Sequence, residues 1–199
     1  MPSATTLILA SSSPYRQQLL QRLGVPFVAI APNLDESPLP GETPKNLTLR
    51  LAQAKAQAIA SLHPNAWVIG SDQSADLNGH IIGKPGSHAA ALAQLKQMQG
   101  QVVVFHTSLC LIAQGFCETI HVPTAVQFRN LPEQVLDQYL RLEQPYDCAG
   151  SAKSEGMGII LLEKIESEDP TALIGLPLIA LTSLLLQAGI PLPATQKSE

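Results

Sequence analysis

Thr6-Leu7-Ile8-Leu9-Ala10-Ser11-Ser12-Ser13-Pro14-Tyr15-Arg16 decides how this chain is organised. A short apolar run ends in three hydroxyls and a proline, the pattern of a strand passing into a helix. Pro14 suits the first helical position, where a missing N–H costs nothing, and Ser13 suits the cap before it. The free N–H groups of such a first turn, with their partial positive charge, attract an anion. Arg16 adds a permanent planar cation shaped for phosphate oxygens. The same residues also describe an ordinary serine-capped helix with a surface arginine, and the segment alone does not choose.

Outward from that segment, apolar runs and helical periodicity alternate. The pattern predicts a strand over 6–10, a helix over 14–23, a strand over 27–31, a helix over 44–62 and a strand over 66–70. That alternation makes the chain α/β. Residues 32–43 carry Pro32, Pro38, Pro40, Gly41 and the pair Asp35-Glu36. They form a loop too polar for the core, with regular structure resuming directly on both sides. On the second helix Leu47, Leu51, Ala54 and Ala58 mark the buried face. Lys55 lies about 40° around from Leu51, free to snorkel to solvent or to point into a cleft.

Residues 73–82 read as a hairpin turning at Asn78-Gly79, and 87–98 as a helix. The stretch 101–113 is apolar on both faces, as a central strand must be, and Gly115 turns it into a partner over 117–129. A helix over 132–142, a Gly-rich segment over 148–158, a strand over 159–164 and a closing helix over 177–188 complete the pattern. The breaks near Pro85 and Asn130 predict two lobes sharing one bent mixed sheet flanked by helices. A ligand cleft lies between the lobes, within one domain spanning 1–199.

The bulk numbers narrow the function classes. At 199 residues, with 45% apolar and 14% charged side chains, the chain builds a folded core. Twelve basic against sixteen acidic residues give a net charge of −4, which argues against a nucleic-acid binder or an anionic-membrane binder. A small phosphorylated ligand needs only a local cluster of cations. Cys110, Cys117 and Cys148 show no CxxC spacing and read as buried thiols of a reducing compartment. The N-terminal apolar run is too short for a signal peptide, and 173–190 is too interrupted to span a bilayer, so a cytoplasmic location is expected.

Val68-Ile69-Gly70-Ser71-Asp72-Gln73 is the second informative run. It predicts a carboxylate at the carboxyl end of a strand, where α/β sheets keep ligands, although a turn or cap gives the same pattern. Lys84 is flanked by Gly83 and Pro85, so it is either a loop charge or a positioned phosphate contact. Cys148-Ala149-Gly150-Ser151-Ala152-Lys153-Ser154-Glu155-Gly156 offers small residues for close approach to a ligand. The P-loop, GxGxxG, HExxH and GxSxG patterns are missing from the sequence, and the five histidines form no close ligand pair along it. What remains is a set of cations (Arg16, Lys55, Lys84) with the carboxylates Glu36 and Asp72, as a metal-bound polyphosphate requires.

In this order the motifs Leu-Ala-Ser-Ser-Ser-Pro-Tyr-Arg, Asp-Glu, Leu-Ala-x-x-Lys-Ala, Gly-Ser-Asp-Gln, Gly-Lys-Pro, Ser-x-Lys-Ser-Glu-Gly and Gly-Leu-Pro resemble the Maf family of nucleotide pyrophosphatases. The resemblance runs from about Leu7 to Gly189 and implies the Maf/ITPase-like fold. It also implies hydrolysis of a nucleoside triphosphate to the monophosphate and pyrophosphate with a divalent metal, Mg2+ or Mn2+. Carried over by position, Asp72 is the general base, and Ser11, Ser13, Arg16, Lys55 and Lys84 cradle the phosphates. Glu36, with Asp72, holds the metal. Tyr15, Gln73 and Glu155 occupy the positions that sort substrates, and they resemble the branch acting on 7-methyl-GTP. That branch commonly has Trp where this chain has Tyr15.

Methylated guanine carries a delocalised positive charge, which an aromatic face and a carboxylate both suit. A carboxylate bound to a cation has a lowered pKa, so Asp72 is expected to orient the water more than deprotonate it. The alternatives are a dTTP or UTP pyrophosphatase of the same family, and a non-catalytic nucleotide-binding regulator of cell division or septum formation. A homodimer is an expectation carried by the family and the apolar composition; no sequence feature shows it.

Overall fold

Two-residue alternation sorts the side chains of the first strand, β1 (Leu7–Ala10). Leu7 and Leu9 enter one apolar cluster, while Ile8 and Ala10 enter another on the opposite face. The computed structural model describes residues 6–190 and 192; residues 1–5, 191 and 193–199, the ends of the expected 1–199 domain, lie outside the described residues. The elements that follow are α1 (Pro14–Gln21), β2 (Phe27–Ala29), α2 (Pro44–Ala60), β3 (Trp67–Leu77) and β4 (His80–Ile82). Then come α3 (His88–Met98), β5 (Val102–Ala113), β6 (Phe116–Phe128), α4 (Glu133–Glu143), β7 (Leu162–Ser167) and α5 (Leu178–Gln187).

The strands form one seven-stranded sheet in the order β2-β1-β3-β5-β6-β7, with β4 also on β3. β1 runs parallel to β2 and β3, and the remaining pairs are antiparallel, so the sheet is mixed as the sequence predicts. One face carries two apolar clusters. Leu9, Leu19, Ile69, Leu109 and Leu181 belong to the cluster under α1 and α5, while Ala75, Leu95, Phe105 and Leu136 belong to the one under α3 and α4. α2 covers the opposite face through Ala52, Ala56 and Ile59 against Val68 and Cys110. Among the described residues no helix is long and apolar enough to cross a membrane.

Several boundaries differ from the sequence reading. β3 does not end near Gly70; it continues to Leu77, so Asp72 is mid-strand and not at a strand's carboxyl end. The run Gly-Ser-Asp-Gln-Ser has the composition of a loop, but β5 pairs with it along its length, from Val68 to Asp76. β1 leaves β3 at Gly70 and β4 joins it only at Ala75, on the edge away from β5. Residues 71–74 therefore have an open edge in the middle of the sheet. That gap is where the cleft forms.

The buried face of α2 is also rotated from the expected stripe. Leu51, Ala52, Lys55, Ala56 and Ile59 are buried, whereas Ala54 and Ala58 are only half-buried. The cause is Gly70, whose missing side chain lets the α2 backbone lie against β3. β7 begins at Leu162 instead of 159, because Met157–Leu161 form a 3-10 turn with Gly158 pressed on the Lys153 backbone.

Of the three cysteines expected to be buried, only Cys110 is; Cys117 is exposed and Cys148 is half-buried. Pairing of β5 with β6 also makes a histidine pair that spacing along the chain hides. His106 Nδ1 lies 2.9 Å from His121 Nε2, and Asp76 Oδ2 lies 3.3 Å from His106 Nε2. Burial lowers the His121 pKa to about 4, so that ring is uncharged at neutral pH.

Candidate active site

A cleft of about 330 Å³ opens over the gap in β3 and is lined by Ser11, Ser13, Tyr15, Arg16, Glu36, Lys55, Gln73, Lys84 and Glu155 among others. Every residue expected at the site lines it except Asp72, which reaches it through Lys55. The first turn of α1 is built as the sequence predicts. Ser13 caps it by accepting from Arg16 N at 3.4 Å, with Pro14 at the first helical position. Ser11 Oγ accepts from Ser13 N at 3.1 Å, which fixes the loop leading into the helix.

Lys55 is the hinge of the charged part. It is buried at 5% exposure, and its Nζ donates to Asp72 Oδ1 and to Glu36 Oε2, both at 2.7 Å. Glu36 comes from the long loop before α2, and that loop is pinned. Arg50 donates twice to Glu42 at 2.7 Å and once to Ser37 O at 3.1 Å. The Arg50 guanidinium holds the Glu42 carboxyl at about 2, far below its usual range. Arg16 is half-buried and donates from Nε to Gly175 O at 2.8 Å, and burial lowers its pKa against the opposing pull of Asp72 and Glu36. It remains a cation.

For Asp72, burial raises the pKa, and the nearby Lys55 and Arg16 only partly offset it. At Asp72 desolvation outweighs the Lys55 and Arg16 charges. A raised pKa makes the ionised carboxylate a better proton acceptor.

Around Tyr15 the neighbours are different. Its phenol pKa is pushed up first by burial, then by Cys148, Asp147 and Glu155, so the hydroxyl stays protonated. The Cys148 thiol is pushed up to about 11, chiefly by burial, and is uncharged at neutral pH. Lys153 Nζ stands 5.6 Å from the Tyr15 ring centroid and donates to Glu143 Oε1 at 2.8 Å. Charges at the site thus sort into two groups. Arg16, Lys55, Glu36 and Asp72 act on one another, while Asp147 and Glu155 act on Tyr15. Tyr15 and Arg16, adjacent on the first turn of α1, join the two.

Gln73 sits at the open edge of β3. Its Nε2 donates to the carbonyls of Ala172 and Leu173 at 2.9 Å and lies 3.0 Å from Thr107 Oγ1. With the amide hydrogens so used, Oε1 is left as an acceptor. The segment 171–175 is the part of the site that sequence reasoning missed. Gly175 O accepts from both Arg16 Nε at 2.8 Å and Ser71 Oγ at 2.9 Å. Gly175 has φ +121, a conformation that side chains rarely adopt, so a glycine is needed to aim that carbonyl. Its only trace in the sequence is the Gly-Leu-Pro motif.

Among the described residues no group of three or more His, Cys, Asp and Glu side chains is placed to hold a metal ion. Glu36 and Asp72 nonetheless meet on a single cation, the Lys55 ammonium. Two converging carboxylates are the hard-oxygen donors that a divalent ion such as Mg2+ or Mn2+ would take.

The profile of the family described as "Maf: Maf-like protein" matches residues 6–188. Among known proteins, the chain is 59% identical over 187 residues to one from Cupriavidus metallidurans, covering 93% of this chain and 94% of that one. It is 59% identical over 195 residues to one from Paraburkholderia xenovorans, covering 96% and 95%. A third, from Nitrosococcus oceani, is 55% identical over 192 residues, covering 96% of each. All three relatives carry the name 7-methyl-GTP pyrophosphatase.

Proposed function

The chain belongs to the Maf-like family, and we propose that it is a pyrophosphatase converting 7-methyl-GTP to 7-methyl-GMP and pyrophosphate. The observation that carries this reading is the division of charge within one cleft: basic groups around Asp72 and Glu36, and, around the Tyr15 ring, the carboxylates Asp147 and Glu155 with a Lys153 ammonium that is paired to Glu143. A 7-methyl-GTP molecule has the complementary division, an anionic triphosphate joined to a cationic base. The names of the relatives point the same way.

In this reading Ser11, Ser13, the first turn of α1, Arg16 and Lys84 hold the phosphate oxygens. Asp72 accepts the proton of the water that attacks the α-phosphorus, and the bond from that phosphorus to the α,β-bridging oxygen breaks, that oxygen leaving on the pyrophosphate. Lys55 keeps Asp72 aimed and places positive charge beside the developing negative charge. Tyr15 stacks on the base, and Glu155 and Gln73 Oε1 accept from the guanine edge, the Glu155 carboxylate also attracting the positive charge of the base. Glu36 and Asp72 would hold the divalent metal, which would supply charge neutralisation on the phosphates. The enzyme is read as one domain acting in the cytoplasm on a free nucleotide. A net charge of −4 supports the lack of a nucleic-acid partner.

The test is pyrophosphate release from 7-methyl-GTP, GTP, dTTP, UTP and CTP with Mg2+ or Mn2+. Preference for 7-methyl-GTP is expected. Preference for dTTP or UTP would overturn the assigned specificity while keeping the chemistry. Binding of nucleotide with no turnover would replace the enzyme by a regulator.

A further inference from the structure

The wall of the cleft beside Tyr15 carries a carboxylate that the substrate-sorting residues Tyr15, Gln73 and Glu155 do not include. Asp147 lines the cleft between α4 and Cys148, and its Oδ1 lies 3.6 Å from Cys148 Sγ. It is exposed, yet the backbone that presents it is built. Tyr146 N donates to Gln144 O at 2.8 Å, and Cys148 N to Pro145 O at 3.2 Å. Gly86 N donates to Tyr146 O at 3.0 Å, which ties this loop to the one bearing Lys84. The Tyr146 hydroxyl donates to Leu140 O at 3.1 Å, anchoring the loop to α4.

The other polar groups at this wall do not cancel the charge of Asp147. Cys148 is a neutral thiol, and Lys153 is paired with Glu143 at 2.8 Å. Glu155 shares the Tyr15 ring with the Lys153 ammonium, 5.6 Å from its centroid, and Asp147 is a second carboxylate acting on that ring. A neutral guanine has a single donor edge, which one carboxylate and the Gln73 carbonyl already satisfy. A second carboxylate would bring it only a desolvation cost. A base with delocalised positive charge is different, because Coulomb attraction to a second carboxylate needs no particular hydrogen-bond geometry.

We propose that Asp147 is a further specificity-determining residue, acting with Glu155 to select a positively charged purine over its neutral counterpart; this rests on the 7-methyl-GTP reading of the same cleft. Asp147 draws the base by charge from the rim, and Glu155 and Gln73 read its edge.

The experiment compares kcat and KM for 7-methyl-GTP and GTP in the wild-type full-length chain, Asp147→Asn and Asp147→Glu. Asp147→Asn should lower the 7-methyl-GTP to GTP ratio of kcat/KM by about three- to fivefold, the scale of an exposed charge contact, through KM. Asp147→Glu should restore most of the ratio, and the difference between wild type and Asp147→Asn should shrink in about 0.5 M salt. A wild-type ratio in Asp147→Asn, with the wild type still preferring 7-methyl-GTP, overturns the role of Asp147 and leaves the function standing. A wild type with no such preference overturns the function itself, and the inference with it.

Discussion

Replacing Gly70 by alanine tests whether the site depends on the close approach of α2 to β3. The φ of Gly70 lies outside the left-handed region, so the substitution strains space and not torsion. A Cβ there would stand 2.1 Å from Ala52 O, 2.6 Å from Ala56 N and 2.9 Å from Ala56 Cβ. Ordinary contact begins near 3.4 Å, so the helix must retreat by about 1.3 Å at that turn. The obstructing atoms are mostly backbone, and no rotamer change absorbs the clash. Lys55 lies in the turn between Ala52 and Ala56, so the retreat draws its Nζ off Asp72 Oδ1, now 2.7 Å away.

Overpacking of this kind costs about 1–3 kcal/mol. For a chain of this size that lowers the melting temperature by roughly 2–4 °C per kcal/mol. A catalytic group misplaced by about 1 Å loses on the order of a hundredfold in rate. Circular-dichroism melting and pyrophosphate release from 7-methyl-GTP read the two effects separately. Gly83→Ala, where a Cβ meets no atom within 4 Å, is the stability control. A Gly70→Ala protein with unchanged melting would refute the packing argument. One that melts early but turns over normally would refute the link from Gly70 through Lys55 to Asp72.

Asp72→Asn is expected to keep the fold by circular dichroism and to lose about 10²- to 10⁴-fold in kcat, the usual share of a positioned base; near-normal turnover would remove Asp72 from the reaction. Lys55→Met takes away the nearest group that lowers the Asp72 pKa. A carboxylate with a higher pKa ionises only at higher pH, so the acid limb of the kcat/KM profile should move upward, and a limb that stays put or moves down would contradict the assignment. Asp169 is 2% exposed and its Oδ2 accepts from Ile179 N at 2.7 Å and Ala180 N at 3.2 Å, capping α5 from a distance. Asp169→Ala should therefore cost about 1–3 kcal/mol in urea unfolding. It should also raise KM, because the chain between Asp169 and α5 carries the Ala172, Leu173 and Gly175 carbonyls that hold Gln73 and Arg16.

The sequence by itself determined what is local. The α/β alternation, the Ser13–Pro14 helix start and the Asn78-Gly79 turn rest on periodicity and on backbone preferences of neighbouring residues, and all three stand in the structure. The residue types that line the cleft were equally legible, since hydroxyls, cations and carboxylates announce themselves by residue type and motif order. Tertiary structure decided how these pieces meet. The polar run Ser71–Ser74 reads as the end of a strand until pairing with β5 shows it to be the middle of one. Lys55 lies at the edge of a helical stripe until Gly70 lets α2 turn it inward onto Asp72. The carbonyl of Gly175 serves Arg16 across 159 residues of chain. Backbone preferences act over a few neighbouring residues. Strand register, close approach and shared hydrogen bonds join segments far apart in the chain, and only the folded sheet brings those segments into contact.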